Sequence, residues 1–370
     1  MVSSKKEKKP NIKKRILITI FVLFNAAVIL WTALSEFTDK NNAAKFSDID
    51  INGWIILLAL LSFLIATSAE IGKYVLMMKR CCNIVDLRTA TRTFLLGRYY
   101  DNITPAAVGG QPFQFMFMKK HGIQSGFSTI IPVVSLISTQ LGFLIIAIPT
   151  FIILGGKISI GLLGSGCLGL IFYAFFPVSL ILATFFRNSV SKIVIWGVKL
   201  LSKIHIIRDR EETIKKTEKT LDLYSNCIKT IFKDKKLAFS VIGLSILFQF
   251  FISTIPFFVL KAFGGNIDFP TCFVTTISIS SAIYFIPTPG NAGAAEGSFF
   301  FVFNSLTSGY VFWAMLFWRF FSYYSYILIG VIIYSLIAYE KRTGHYLADD
   351  LKQKYFSKKS HQKAKSKPEN

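Results

Sequence analysis

Charge is thin in this sequence, and one sign of it is thinner still. Charged residues make up 17% of the 370, with 20 Asp and Glu against 42 Lys and Arg. That excludes a chain kept soluble or disordered by its own polarity. The four histidines, His121, His205, His345 and His361, are scattered, with no metal-ligand spacing and no nucleophile beside them. The five cysteines, Cys81, Cys82, Cys167, Cys227 and Cys272, are odd in number and also lack metal spacing, so they read as reduced and structural. No cofactor, metal or catalytic residue is expected. The first apolar run follows a basic stretch but has no small-residue cleavage site, so it reads as a retained span rather than a signal peptide.

What the sequence does have is apolar length. It is 52% hydrophobic with 37 Phe and a mean hydropathy of +0.51. About 20 apolar residues cross a bilayer, and six segments qualify: roughly 16 to 35, 53 to 78, 126 to 153, 159 to 185, 237 to 262 and 310 to 338. The net charge of +22 concentrates outside them, in a basic N-terminus (1–15), a central segment from Arg187 to Lys236 and a tail (341–370). Basic flanks stay on the cytoplasmic side and are drawn to anionic headgroups, which predicts a multi-pass cell-membrane protein with both termini in the cytoplasm. Nucleic acid is not an expected partner, since no basic-aromatic binding module interrupts the apolar runs. The central segment places Ile214, Leu221, Tyr224, Ile228 and Ile231 at helical spacing among Lys and Glu, as in a helix lying on the membrane. The tail is polar enough to be disordered.

Two further apolar stretches, about 90 to 118 and 270 to 305, are too broken by Pro and Gly to be simple spans. Irregular backbone at membrane depth is tolerated only where protein or a cavity satisfies it, so each reads as a re-entrant helical hairpin. Span parity makes the first hairpin enter from the cytoplasm and the second from outside. The fold expected is therefore an all-α integral membrane protein, with about six full transmembrane helices and two oppositely oriented re-entrant hairpins. At an offset of 184, Tyr100, Thr104, Pro105, Gly109, Phe115 and Phe117 match Tyr284, Thr288, Pro289, Gly293, Phe299 and Phe301, which suggests an inverted repeat with a binding site between its halves.

Thr104-Pro105 and Thr288-Pro289 can each cap and start a half-helix, and Gly109, Gly110, Gly290 and Gly293 would let backbone approach a ligand. Exposed N–H groups at such helix starts attract anions, of which lipid phosphate is the obvious one. The competing reading is that Pro and Gly only shape tight turns. Ionisable residues in the apolar regions are few: Glu70, Arg98, Asp101, Glu296 and Arg319. Each is costly in hydrocarbon and should meet a partner or a cavity. Glu296 with Arg319, and Glu70 with Arg98, are candidate pairs; Arg92 and Arg98 could instead snorkel to the interface. Thr139, Gln140, Gln249 and the tyrosines at 323, 324 and 326 fit inter-helix hydrogen bonds or a cavity wall. Gly164, Gly166 and Gly169 satisfy G-x-G-x-x-G, but inside an apolar span with no strand before them, and Asn102-Ile103-Thr104 fits a glycosylation pattern on the wrong side of the membrane.

The run Gly97-Arg98-Tyr99-Tyr100-Asp101-Asn102-Ile103-Thr104-Pro105 leading to Gly109-Gly110-Gln111-Pro112, and Pro287-Thr288-Pro289-Gly290 leading to Gly293 and Glu296, resemble the membrane domain of the lysylphosphatidylglycerol synthase and flippase family, also called multiple peptide resistance factor. Arg319 fits the Arg of the following span. Two positions depart from the family pattern: Ala106-Ala107 where a Gly is common, and Thr139-Gln140 where many relatives carry Asp-Arg. The resemblance covers most of residues 12 to 340 and implies a flippase-like domain over 16–340. It would move a phosphatidylglycerol-derived aminoacylated phospholipid, or another lipid-linked headgroup, contributing to cell-surface charge and resistance to cationic antimicrobial peptides. The family's appended synthase domain is not expected in the roughly 30 polar residues after the last span. A lysyltransferase role would then need a separate lipid-modifying enzyme as partner, and a membrane scaffold is the remaining alternative. Phospholipids and the anionic membrane surface are the expected partners, and the oligomeric state stays open.

Overall fold

A computed structural model describes residues 51–104, 109–186, 233–284, 286, 288–307 and 310–343, together with 196, 211–215, 218, 222 and 229. The expected first span, both termini, Pro105, Ala106, Ala107, Pro287, Cys227 and most of the amphipathic central segment lie outside the described residues.

Within them the chain is all-α. Five helical stretches are long and apolar enough to cross a membrane: Gly53–Cys82, Ser125–Lys157, Ile160–Ser179, Lys235–Ala262 and Val311–Glu340. They fall on five of the six segments read from hydropathy, and the sixth, 16–35, is outside the described residues. The helices are α1 (Gly53–Cys82), α2 (Leu87–Ile103), α3 (Gly110–Lys120), α4 (Ser125–Leu154), α5 (Ile160–Phe185), α6 (Lys235–Ala262), α7 (Phe269–Ala282), α8 (Ala294–Leu306), α9 (Val311–Arg319) and α10 (Ser325–Thr343). Side-chain caps set several of their starts. Asn52, Asp86, Ser159, Asp234 and Asp268 each accept from a backbone N–H two or three residues on, satisfying donors the helix itself cannot.

Helices α1 and α6 pack along each other and run antiparallel: the Asn52 N–H donates to the Ala262 carbonyl at 3.1 Å, while further along Ala66 and Ala69 pack against Phe248. Their small residues let the backbones approach, as in other membrane helix pairs. Outward-facing Trp54, Ile152, Ile160, Phe175 and Phe239 are largely exposed, which suits contact with lipid tails rather than water. Gly166 and Gly169 seat α5 closely on α7; a Cβ at Gly166 would stand 3.0 Å from the Ser278 Cα, and one at Gly169 would strike the backbone of Ser281 and Ala282. The G-x-G-x-x-G pattern is thus a packing stripe.

Both broken stretches fold back on themselves. In the first, Asp101 meets Gly110, Thr104 meets Gly109 and Gly97 faces Gln114, so α2 and α3 run in opposite senses. In the second, the Tyr310 N–H reaches back to the Phe263 carbonyl at 3.2 Å, closing the base of α7 and α8. None of these four helices exceeds 17 residues, short of a full crossing. Adding 184 to the bounds of α3 gives 294–304, against 294–306 for α8, and the same shift carries α1 onto α6, α2 onto α7 and α4 onto the α9–α10 helix to within a few residues. The repeat hinted at by scattered residue matches is therefore a repeat of four elements.

The last helix is not uniform. Between α9 and α10, Phe320–Tyr324 form a widened π turn in which the Ser325 N–H reaches the Phe320 carbonyl. Asn102 of α2 binds there twice, donating Nδ2 to the Tyr323 carbonyl at 3.2 Å and accepting the Tyr323 hydroxyl on its own carbonyl at 3.3 Å.

Candidate functional site

The first break is closed by its own side chains. Thr104 is extended and ends α2; its hydroxyl donates to the Tyr100 carbonyl at 2.7 Å and accepts the Gly109 N–H at 2.9 Å. Helix α3 starts at Gly110, and the Gly110 N–H is taken at 2.8 Å by the Asp101 carboxylate. Pro105 lies outside the described residues, and the helix that follows the break is described from Gly110, whose N–H is taken by Asp101 rather than left free. A carboxylate nine residues upstream already places negative charge at that terminus. The glycines serve the chain's approach to itself: a Cβ at Gly109 would lie 2.6 Å from the Thr104 methyl carbon.

The second break reaches the same result by another route. Thr288 precedes a single 3-10 turn, Pro289–Asn291, without capping it, and its hydroxyl donates to the Ala292 carbonyl at 3.0 Å. Pro289 therefore opens one tight turn and not α8, which begins at Ala294. Gly290 and Gly293 take φ of 59° and 85°, which side chains with a Cβ rarely adopt. The Gly293 N–H donates to one oxygen of Glu296 at 2.6 Å, and the other oxygen accepts from Arg319 Nε at 2.6 Å. Arg319 also reaches the Gly290 carbonyl at 3.3 Å and lies over the Tyr323 ring, 4.6 Å from its centroid. The structure brings Glu296 and Arg319 together as a pair, buried to 2% and 4% exposure. Asp101 and Glu296 are not equivalents at offset 184, so the two carboxylate plugs arose at different positions of the repeat.

A third polar centre was missed from sequence. Lys73 of α1 is fully buried, and its ammonium donates to Glu70 Oε1 at 2.7 Å, Thr139 Oγ1 at 2.6 Å, Ser245 Oγ at 3.1 Å and the Ser135 carbonyl at 3.2 Å. Glu70 thus pairs with Lys73, three residues along the same helix face, and not with Arg98. That i, i+3 spacing was the available signal; Lys73 was hidden by its resemblance to the basic flank formed by Lys79 and Arg80. The Arg98 guanidinium instead rests 5.1 Å from the centroid of the Tyr326 ring, with Nε buried and unpartnered. Arg92 does not snorkel free: it grips Glu340 of α10 through two bonds of 2.9 and 3.0 Å, with Arg88 joining on the same carboxylate. Gln140 donates to the Tyr284 hydroxyl at 2.8 Å and Gln249 to the Thr139 carbonyl at 3.3 Å, the inter-helix role weighed for them.

Beside the second break, a cavity of about 470 Å³ opens between α5, α7 and α8, lined by Leu162, Ser165, Ile279, Gly293, Gly297 and Phe301. Its walls are small or apolar, and it adjoins the turn that Arg319 and Glu296 hold.

Membrane-length helices, paired helix breaks and buried ion pairs define a polytopic membrane protein with a polar interior. The sequence model of the family described as Lysylphosphatidylglycerol synthase TM region matches residues 16–330, and the chain belongs to that family. Comparison with curated proteins and with solved structures returned no match.

Proposed function

We propose that this protein carries phospholipid between the two leaflets, with the two breaks forming the headgroup path. The observation that carries the reading is the set of charges at the breaks, half-buried Arg98 and Asp101 at one and the buried Glu296–Arg319 pair at the other, the second beside an apolar cavity of about 470 Å³. Intramembrane charge is costly and marks pathways by default. Broken helices in corresponding positions of two halves are where transporters bind. A headgroup anion reaching either helix start exchanges with a resident carboxylate, so binding and release are displacements rather than additions. In this reading the hairpins enter from opposite faces, both termini are cytoplasmic, and the two halves alternate access. Family membership supports a membrane-lipid role, and a phosphatidylglycerol-type lipid is the substrate it points to.

The test is reconstitution. Labelled headgroups should flip in proteoliposomes with the protein, and slow by about tenfold or more in Glu296→Ala or Arg319→Ala. Wild-type vesicles that move no tested lipid refute the proposal.

A further inference from the structure

Two ion pairs stand at opposite ends of the helix bundle, away from the breaks. At one end, Glu340 near the end of α10 is gripped by Arg88 and Arg92 from the start of α2, the two Arg92 bonds measuring 2.9 and 3.0 Å. At the other, Lys157, in the 3-10 turn that follows α4, lies 3.6 Å from Asp268, the residue that caps α7. Arg88 follows the end of α1 by six residues, and Asp268 follows the end of α6 by six. Because α1 and α6 run antiparallel, these positions are opposite ends of the bundle.

The repeat relates the two pairs. Shifted back by 184, Glu340 falls at 156, one residue from Lys157; shifted forward, Arg88 falls at 272, about one turn from Asp268. Each pair thus ties the base of one half's hairpin to the end of a span from the other half, α2 to α10 and α7 to α4, with the charges exchanged. What differs is closure. The Glu340 carboxylate is 5% exposed and held by three guanidinium nitrogens, whereas Lys157 and Asp268 are 47% and 56% exposed, at a distance too long for a charge-assisted hydrogen bond. The backbones agree: a Cβ at Gly330 of α10 would stand 2.5 Å from the Tyr99 Cβ of α2. Equivalent joints, one tight and one slack, are the mark of a structure at one end of a two-state motion.

Resting on the translocator reading, we infer that these pairs are mutually exclusive latches between the two halves. Rocking that draws Lys157 onto Asp268 pulls Arg88 and Arg92 off Glu340, and the reverse motion restores the grip. The structure is the state latched between α2 and α10. A latch biases such an equilibrium only by the difference in its strength between the two states, so the exposed pair acts when it closes and contributes little here.

Hydrogen exchange of the full-length protein in nanodiscs tests this, because it reads opening at both ends of the bundle in one experiment. Glu340→Gln should speed exchange in the first two turns of α2 by about tenfold and slow it in the first two turns of α7 by about threefold. A grip that only held α2 in place would loosen α2 and leave α7 unchanged. Adding Lys157→Gln to Glu340→Gln removes the far latch, and the slowing at α7 should disappear. If Glu340→Gln does not fold, Arg92→Gln leaves Arg88 on the carboxylate and must give the same opposed pair of changes at smaller size. Unchanged or faster exchange at α7 in every folded single variant overturns the inference, as does slowing that survives Lys157→Gln. Opposed changes at the two ends, with no lipid transfer by wild type in proteoliposomes, refute the translocator reading alone.

Discussion

Removing Arg319 tests how the second break is held. Its guanidinium lies 2.6 Å from Glu296, 3.3 Å from the Gly290 carbonyl and against two aromatic rings, all in a buried setting. Arg319→Ala leaves Glu296 with a single N–H partner and an uncompensated charge, a loss of about 3–5 kcal/mol. Coulomb attraction of about 4 kcal/mol for unit charges roughly 4 Å apart, at an effective dielectric constant near 20, gives the same scale. Glu296→Gln can still accept the Gly293 N–H and should cost less, on the order of 2–3 kcal/mol, because the stranded guanidinium keeps Gly290 and the rings. The double variant Arg319→Met, Glu296→Gln removes both charges and should lose less than the two single losses combined, with a coupling of about 2 kcal/mol or more. Thermal unfolding of the detergent-solubilised protein reads all of this, the first variant melting on the order of 10 °C lower. If the double variant's loss equals the two single losses to within about 0.5 kcal/mol, the pair contributes nothing as a pair and the reasoning fails.

Gly169→Ala should destabilise by about 1–3 kcal/mol, because its new methyl would meet backbone of α7, whereas Gly164→Ala, with nothing within 4 Å, should be near neutral in the same melting assay. Asp101→Ala releases the Gly110 N–H and should cost about 1–2 kcal/mol, seen locally as faster hydrogen exchange at the start of α3. Hydrogen bonds from Thr271, the side chain first and then the backbone N–H, hold the Asp268 carboxyl below its ordinary range. Its folded-state pKa is depressed, so its contribution to stability is present above the unfolded pKa of about 3.9 and fades as pH falls through the folded value. Asp268→Asn should flatten that part of the acid melting profile, and an unchanged profile would contradict the assignment.

Much of the architecture was legible because the bilayer imposes a length: spans such as 53–78 and 237–262 announce themselves, and Pro and Gly clusters near Thr104 and Thr288 mark where helix cannot continue. The pairing of Glu296 with Arg319 was open to the argument that buried charges need partners. What sequence hid was which group would satisfy which. Thr104 looks like a cap for the next helix, yet its hydroxyl turns back to the helix it ends, because an extended Thr at the end of α2 finds the Tyr100 carbonyl within reach. Asp101 caps a helix that starts nine residues later, a distance no local motif encodes. The partners of Lys73 on α4 and α6 are more than sixty residues away, and only packing brings them together.

The widened turn at Phe320–Tyr324 bears on how this chain tolerates changes in length. A π turn is an α-helix carrying one surplus residue, absorbed locally so that the helix on either side keeps its phase. Deleting a residue within it would leave an unbroken α-helix with Arg319 still directed to Glu296 and Glu340 still directed to Arg88 and Arg92. The contact forfeited would be the Tyr323 carbonyl that Asn102 holds, loosening the tip of the first hairpin from the last helix while the Arg88 and Arg92 grip on Glu340 remains. A one-residue deletion here thus releases one joint between the two halves and leaves the other, at Glu340, in place.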